Sequence, residues 1–359
     1  MILWKEDIMK ALQILSKEAC VFAPFRDSSD EVRFIPYQEQ LQSCAEVILD
    51  GPNTVKPPKD VLFPNVEKLY RYKAAGDDSY IREILPEDGR KILFGVRPCD
   101  VRSIQAMDQV FLTKGYVDSY YAKRREQVTI VALGCTSPER TCFCDSMGLD
   151  PNEAPGADVM MNQISDSAQD GYVLRSFTEK GKALLQLLQE LDGQEEHAYI
   201  QDTSCTLKIR KDQDLDKKLA RMFEHPIWDK VTRGCIGCGT CTFLCPTCYC
   251  FDIDNENYGA EGCKYRCWDS CMFSDYTRMA GGANPRPTKK ERLRNRYMHK
   301  LSYFNERYGQ TLCVGCGRCI AHCPSHLDIS EFIEQASAAD PNAATWTNAP
   351  EQAENRKEA

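Results

Sequence analysis

Histidine is scarce in this chain, five among 359 residues, and no apolar run approaches the roughly 20 residues that a bilayer-spanning helix needs. The opening MILWKEDIMK is charged, leads into no signal-peptide core and carries no twin-arginine signal. The expectation is a soluble cytoplasmic protein with no membrane association. There is no G-x-x-x-x-G-K-[ST], and the paired glycines of IGCGTC and VGCGRC lack the third glycine of a dinucleotide fingerprint. H-E-x-x-H and G-x-S-x-G are missing as well. No catalytic residue and no residue binding an organic cofactor is therefore assigned. A net charge of −8 disfavours affinity for phosphate backbones, so nucleic acid is not expected as a partner.

What the chain has in excess is cysteine, 20 residues. Disulfide density belongs to small secreted domains, and nothing addresses this chain to an oxidising compartment, so metal is the better reading. Cys235, Cys238, Cys241 and Cys245, followed by Pro246, follow C-x2-C-x2-C-x3-C-P, and Cys313, Cys316, Cys319 and Cys323, followed by Pro324, repeat it. Three thiolates at this step wrap one cubane, while the fourth, carried past the turn, reaches a second cluster. Two motifs can exchange their fourth ligands. One [4Fe–4S] cluster then takes Cys235, Cys238, Cys241 and Cys323, and the other takes Cys313, Cys316, Cys319 and Cys245. Structural zinc closes with two separated pairs and fits this spacing poorly. Gly239 and Gly317 are expected to relieve crowding in the two loops.

The expected fold is an α/β N-terminal domain (1–220) followed by a helical, ferredoxin-like 4Fe–4S dicluster domain (221–340) and a disordered tail (341–359). EDIMKALQILSK, VRSIQAMDQVF and LDISEFIEQASAA carry apolar residues at helical spacing. KILFGV (91–96) and QVTIVAL (127–133) read as strands, which with the helix between them make a β-α-β unit; VFAPF reads as a short strand capped by proline. If the two strands are parallel neighbours, Cys99 and Cys135 follow their carboxyl ends, with Cys142 and Cys144 just beyond, at the edge where open α/β sheets bind ligands. Four thiols without histidine suit a third iron–sulfur cluster, with tetrahedral zinc or plain packing as alternatives. Cys20, Cys44 and Cys205 stand alone and read as ordinary thiols.

The insertion 246–312 has cysteines of its own: Cys248, Cys250, Cys263, Cys267 and Cys271. The last three, four apart, would share one face of a helix, as packing or as part of another centre. The basic run RPTKKERLRNRYMHK (286–300) reads first as a solvated helix face, and second as charge that offsets thiolate-bound clusters or docks an acidic protein partner.

In HPIWD, CIGCGTCTFLCPTCYC, WDSC, MAGGANPRPTKKERLRNRY, LCVGCGRCIAHCP, FGVRPCD and CFC the chain resembles the beta subunit of cytosolic nickel–iron hydrogenases (sulfhydrogenases), together with the ferredoxin-type iron–sulfur subunit of anaerobic sulfite reductase. The resemblance spans both halves. It implies an electron conduit without a substrate site of its own, partnered by an NAD(P)H-binding flavoprotein with FAD and a [2Fe–2S] cluster. The catalytic metal would lie on other subunits, nickel–iron in a hydrogenase or siroheme in a sulfite reductase. It also implies counterparts for the eight motif cysteines and for Cys99, Cys135, Cys142, Cys144, Cys248, Cys250 and Cys271, but none for Cys263 and Cys267. The basic PTKKERLRNRY run is closer to the hydrogenase branch, and CFCDSMG to the sulfite reductase branch. A stand-alone redox carrier or enzyme is the alternative from another class.

Overall fold

The computed structural model describes residues 1–27, 29–38, 46–51, 53–165, 170–193, 199–200 and 203–343. Cys44 and residues 344–359 of the tail lie outside them. The chain forms two compact units that no single cut separates: residues 1–207, 243–269 and 314–318 form one, and residues 208–242, 270–313 and 319 onward form the other.

The first unit is α/β. In chain order its main elements are β1 (Ile2–Trp4), α1 (Ile8–Ser16), β2 (Cys20–Arg26), β3 (Val32–Pro36), β4 (Val66–Lys73), β5 (Tyr80–Glu83) and β6 (Lys91–Val96). There follow α2 (Pro98–Leu112), α3 (Ser119–Gln127), β7 (Val128–Leu133), β8 (Val159–Ser165), β9 (Gly171–Ser176), α4 (Glu179–Leu187), β10 (Tyr199–Ile200), β11 (Phe251–Tyr258) and β12 (Glu261–Trp268). The large sheet runs β1-β9-β8-β7-β6-β2-β3, with β10 also pairing β8. Its centre, β2, β6, β7 and β8, is parallel.

Alternation in β7 explains why this centre is buried on both faces. Val131 and Leu133 join Leu12, Leu15 and Phe94 on one side, while Ile130 and Ala132 join Ile104, Met107 and Phe111 on the other. The β-α-β reading of 91–133 therefore holds, with β6 and β7 adjacent and in parallel register from Lys91↔Val128 onward. Strand β2, by contrast, runs through Pro24 instead of ending there. Its ladder to β6 stops at Phe22, so the N–H that proline lacks is not needed on that side.

A second, antiparallel sheet runs β11-β12-β4-β5. It corrects the helical reading of the insertion, because Cys263 and Cys267 lie on a strand. Residues 251–268 alternate and fold back through a two-residue turn at Gly259 and Ala260, which closes a hairpin. Glu67 on β4 accepts hydrogen bonds from both Arg124 of α3 and Arg266 of β12, and Arg266 also pairs with Asp118 at 2.6 Å. These buried charges bind the hairpin to the α/β layer.

In the second unit the described elements are helices: α5 (Leu215–Arg221), α6 (Ile227–Thr232), α7 (Thr240–Phe243, whose last residue belongs to the first unit), α8 (Lys289–Met298), a π-helical turn (His299–Tyr303), α9 (Phe304–Tyr308), α10 (Arg318–Ala321, begun in the first unit) and α11 (Ile329–Ala338). Trp228, Tyr297 and Phe332 form its aromatic centre, with ring centroids 4.9 and 4.7 Å from Phe332. A Thr288–Glu291 capping box starts α8. Among the described residues no helix is long and apolar enough to cross a membrane.

Candidate iron–sulfur centres

The first motif is arranged around a cavity in the second unit. Cys235, Cys238, Cys241, Cys319, Cys323 and Arg296 all line it. Gly239 turns the loop at φ +77°, and a Cβ there would meet the Phe273 ring at 2.8 Å, so a side chain would push the loop off its support. Cations hold the backbone: Lys289 Nζ donates to the Cys235 carbonyl at 2.6 Å, and the buried Arg296 donates to the Cys241 carbonyl at 3.1 Å. The thiols receive hydrogen bonds too. Leu327 N–H donates to Cys323 Sγ at 3.2 Å, and the Thr240 hydroxyl beside Cys238 holds that thiol below its usual range.

Among the described residues no three His, Cys, Asp or Glu side chains converge closely enough to hold a single metal ion. The thiols of the first motif instead surround an open space, a donor set and shape that suit a cluster held at its corners. Of the other four motif cysteines, Cys245 and Cys316 belong to the first unit and Cys313 and Cys319 to the second.

The basic run is not a solvated face. Arg292, Arg294, Arg296 and Lys300 are all buried, and the three arginines donate to backbone carbonyls. Arg294, for example, stacks on Phe223 at 3.8 Å while donating to its carbonyl.

A second concentration of thiols lies within the first unit. Cys99 opens α2 directly after β6, and Cys135 follows β7, so both stand at the carboxyl ends of adjacent parallel strands. The buried Arg97 guanidinium ties these ends together by donating to the carbonyls of Leu49, Gly51 and Gly134 at 2.7 to 2.9 Å. Cys142 and Cys144 sit in the loop beyond, and Cys144 Sγ lies 3.4 Å from Cys205 Sγ. Cys205 is therefore no isolated thiol. No motif surrounds it, and its one sequence signal is being a further unpaired cysteine; its backbone N–H is fixed by Asp145 at 2.9 Å.

Burial pushes the Cys99 and Cys135 thiols up, and Cys142 up to about 12. The hydrogen bond shared by Cys144 and Cys205 drives Cys144 up and Cys205 down. Such thiols favour a bound metal charge over bare thiolate, and five of them without histidine suit an iron–sulfur group. Every described cysteine is free of disulfide bonding.

The second motif's loop Val314–Arg318 packs here as well. Phe143 N–H donates to the Gly315 carbonyl at 2.8 Å, and Gly317, at φ +74°, lies where a Cβ would meet the Thr141 backbone at 2.6 Å.

The 4Fe-4S dicluster domain family matches residues 234–327. The chain is 30% identical over 333 residues to sulfhydrogenase 2 subunit beta of Pyrococcus furiosus, an alignment covering 88% of this chain and 91% of that protein. The chain belongs to the sulfhydrogenase beta-subunit family. It is an iron–sulfur protein of hydrogenase-type electron transport. No solved structure gives a significant match.

Proposed function

We propose that this sulfhydrogenase beta-type chain relays electrons between a flavoprotein partner, which binds FAD and NAD(P)H, and a catalytic subunit that reduces protons or sulfur compounds. The observation that carries the reading is the ring of Cys235, Cys238, Cys241 and Cys323 about one cavity, in a chain related over most of its length to a protein named as a sulfhydrogenase subunit. Two [4Fe–4S] clusters would be held by Cys235, Cys238, Cys241 and Cys323 and by Cys313, Cys316, Cys319 and Cys245. A third would be held by thiols drawn from Cys99, Cys135, Cys142, Cys144 and Cys205. Bound clusters supply one-electron transfer.

The chain's own residues fix the sulfur positions. They also place cations behind the ligand backbone: Lys289 and Arg296 behind the first motif, and Lys59 behind Cys245, whose carbonyl accepts from Lys59 Nζ at 2.9 Å. Positive charge of this kind favours the more negative, reduced form of a cluster.

The test is anaerobic co-purification with the products of neighbouring genes, with iron and sulfide counted per chain. The expected result is association with a flavin-containing protein and about twelve irons, four per cubane. A chain that turns over alone, or never binds a flavoprotein, overturns the relay reading, and about eight irons limits the chain to the paired motifs.

A further inference from the structure

Asn53 stands where the first-unit thiols meet the second motif. Its Nδ2 donates to Cys142 Sγ at 3.5 Å and to the Cys316 carbonyl at 3.2 Å, while Oδ1 faces Cys99 Sγ at 4.0 Å. The opposite amide orientation would set Oδ1 against a carbonyl and a sulfur acceptor together, so the donor side is fixed by its surroundings. Cys142 Sγ lies only 3.6 Å from the same Cys316 carbonyl. The loop carrying Cys316 is anchored a second time by Arg318, which grips the Asp100 carboxylate through two bonds of 2.7 Å.

We propose that Asn53 is a positioning residue for electron exchange: it donates a hydrogen bond to the Cys142 ligand of a cluster in the first-unit site and pins the Cys316 loop against that ligand. The inference rests on the reading of that site as a third [4Fe–4S] centre. Reduction adds one electron and one negative charge to the cluster, and no bond at Asn53 breaks. An N–H pointing at a ligand sulfur binds the more negative state more strongly, so it raises the reduction potential. The same amide holds Cys142 against the peptide of Cys316, a proposed ligand of the second paired cluster, and so shortens the path between the two centres.

The experiment is a dithionite titration under argon, followed by electron paramagnetic resonance, on the full chain and on Asn53→Ala and Asn53→Asp, with iron counted in each. Wild type and both variants are expected to hold about twelve irons. In Asn53→Ala one cluster's oxidised-to-reduced ratio at fixed ambient potential shifts roughly tenfold toward oxidised, about 59 mV for one electron. Asn53→Asp, which keeps the shape but brings negative charge, shifts it further the same way. Full iron with unchanged midpoints overturns the inference alone. Failure of both variants to load iron assigns Asn53 a structural role only and also overturns it. About eight irons in wild type removes the third-centre reading, and this inference with it.

Discussion

Replacing Arg318 with methionine leaves the Asp100 carboxylate, with 2% of its side chain exposed, without the guanidinium that grips it through two bonds of 2.7 Å. Stranding one member of a buried ion pair costs about 3–5 kcal/mol. The same substitution also removes the donor that Arg318 Nε offers to the Thr54 carbonyl at 2.7 Å. At about 2–4 °C per kcal/mol for a unit of this size, the unfolding midpoint should fall by about 6–20 °C. Asp100→Leu alone should cost a similar amount, because it strands the cation. The double variant Asp100→Leu/Arg318→Met, with both charges gone, should recover most of the loss, giving a coupling of about 3 kcal/mol. The assay is anaerobic thermal unfolding followed by circular dichroism on all four proteins, with iron counted so that cluster loss is separated from loss of fold. Single costs below about 1 kcal/mol that simply add would refute the reasoning, since they would mean the pair is solvated in solution.

Two other outcomes follow from local geometry. Gly317→Ala should destabilise the chain by well over 1 kcal/mol and lower its iron content, because the new Cβ meets the Thr141 backbone at 2.6 Å. Gly282→Ala, also at positive φ but with nothing within 4 Å, should cost only about 1–2 kcal/mol of backbone strain and no iron; equal effects at both sites would discredit the packing argument. Burial holds the His225 imidazole below its usual range, and its Nδ1 accepts the Ile227 N–H. A depressed folded value means that this histidine's contribution is present above the unfolded pKa of about 6.5 and lost as pH falls through the folded one. Wild type should therefore lose stability relative to His225→Gln between about pH 7 and pH 5, and a denaturation difference that is constant across that range would count against it.

The parts of this protein that could be read from sequence are those governed by local periodicity. Alternation in β6 and β7, with threes and fours in α2 between them, placed Cys99 and Cys135 at neighbouring strand ends. Cys205 escaped because it reaches Cys144 through the path of the chain, with no motif to announce it. A spacing of four residues returns to the same face of a strand as well as of a helix, so Cys263 and Cys267 alone could not distinguish β12 from a helix. The basic run misled for another reason. Composition assigns arginine to solvent, whereas Arg294 and Arg296 extend inward to the carbonyls of Phe223 and Cys241, an arrangement that depends on segments far away in the sequence.

The first unit is assembled from three separated stretches of chain, the last of them residues 314–318. Its internal bonds span long separations, 199 residues for Glu67–Arg266 and 218 for Asp100–Arg318. In biosynthesis this reverses the usual order, in which an N-terminal domain finishes folding while the rest is still being made. The α/β layer must wait, incomplete, until the ribosome has delivered the final cysteine motif. By then every proposed iron ligand except Cys319 and Cys323 has emerged. Completion of the fold and the arrival of iron and sulfide are thereby brought into the same short interval of the protein's making.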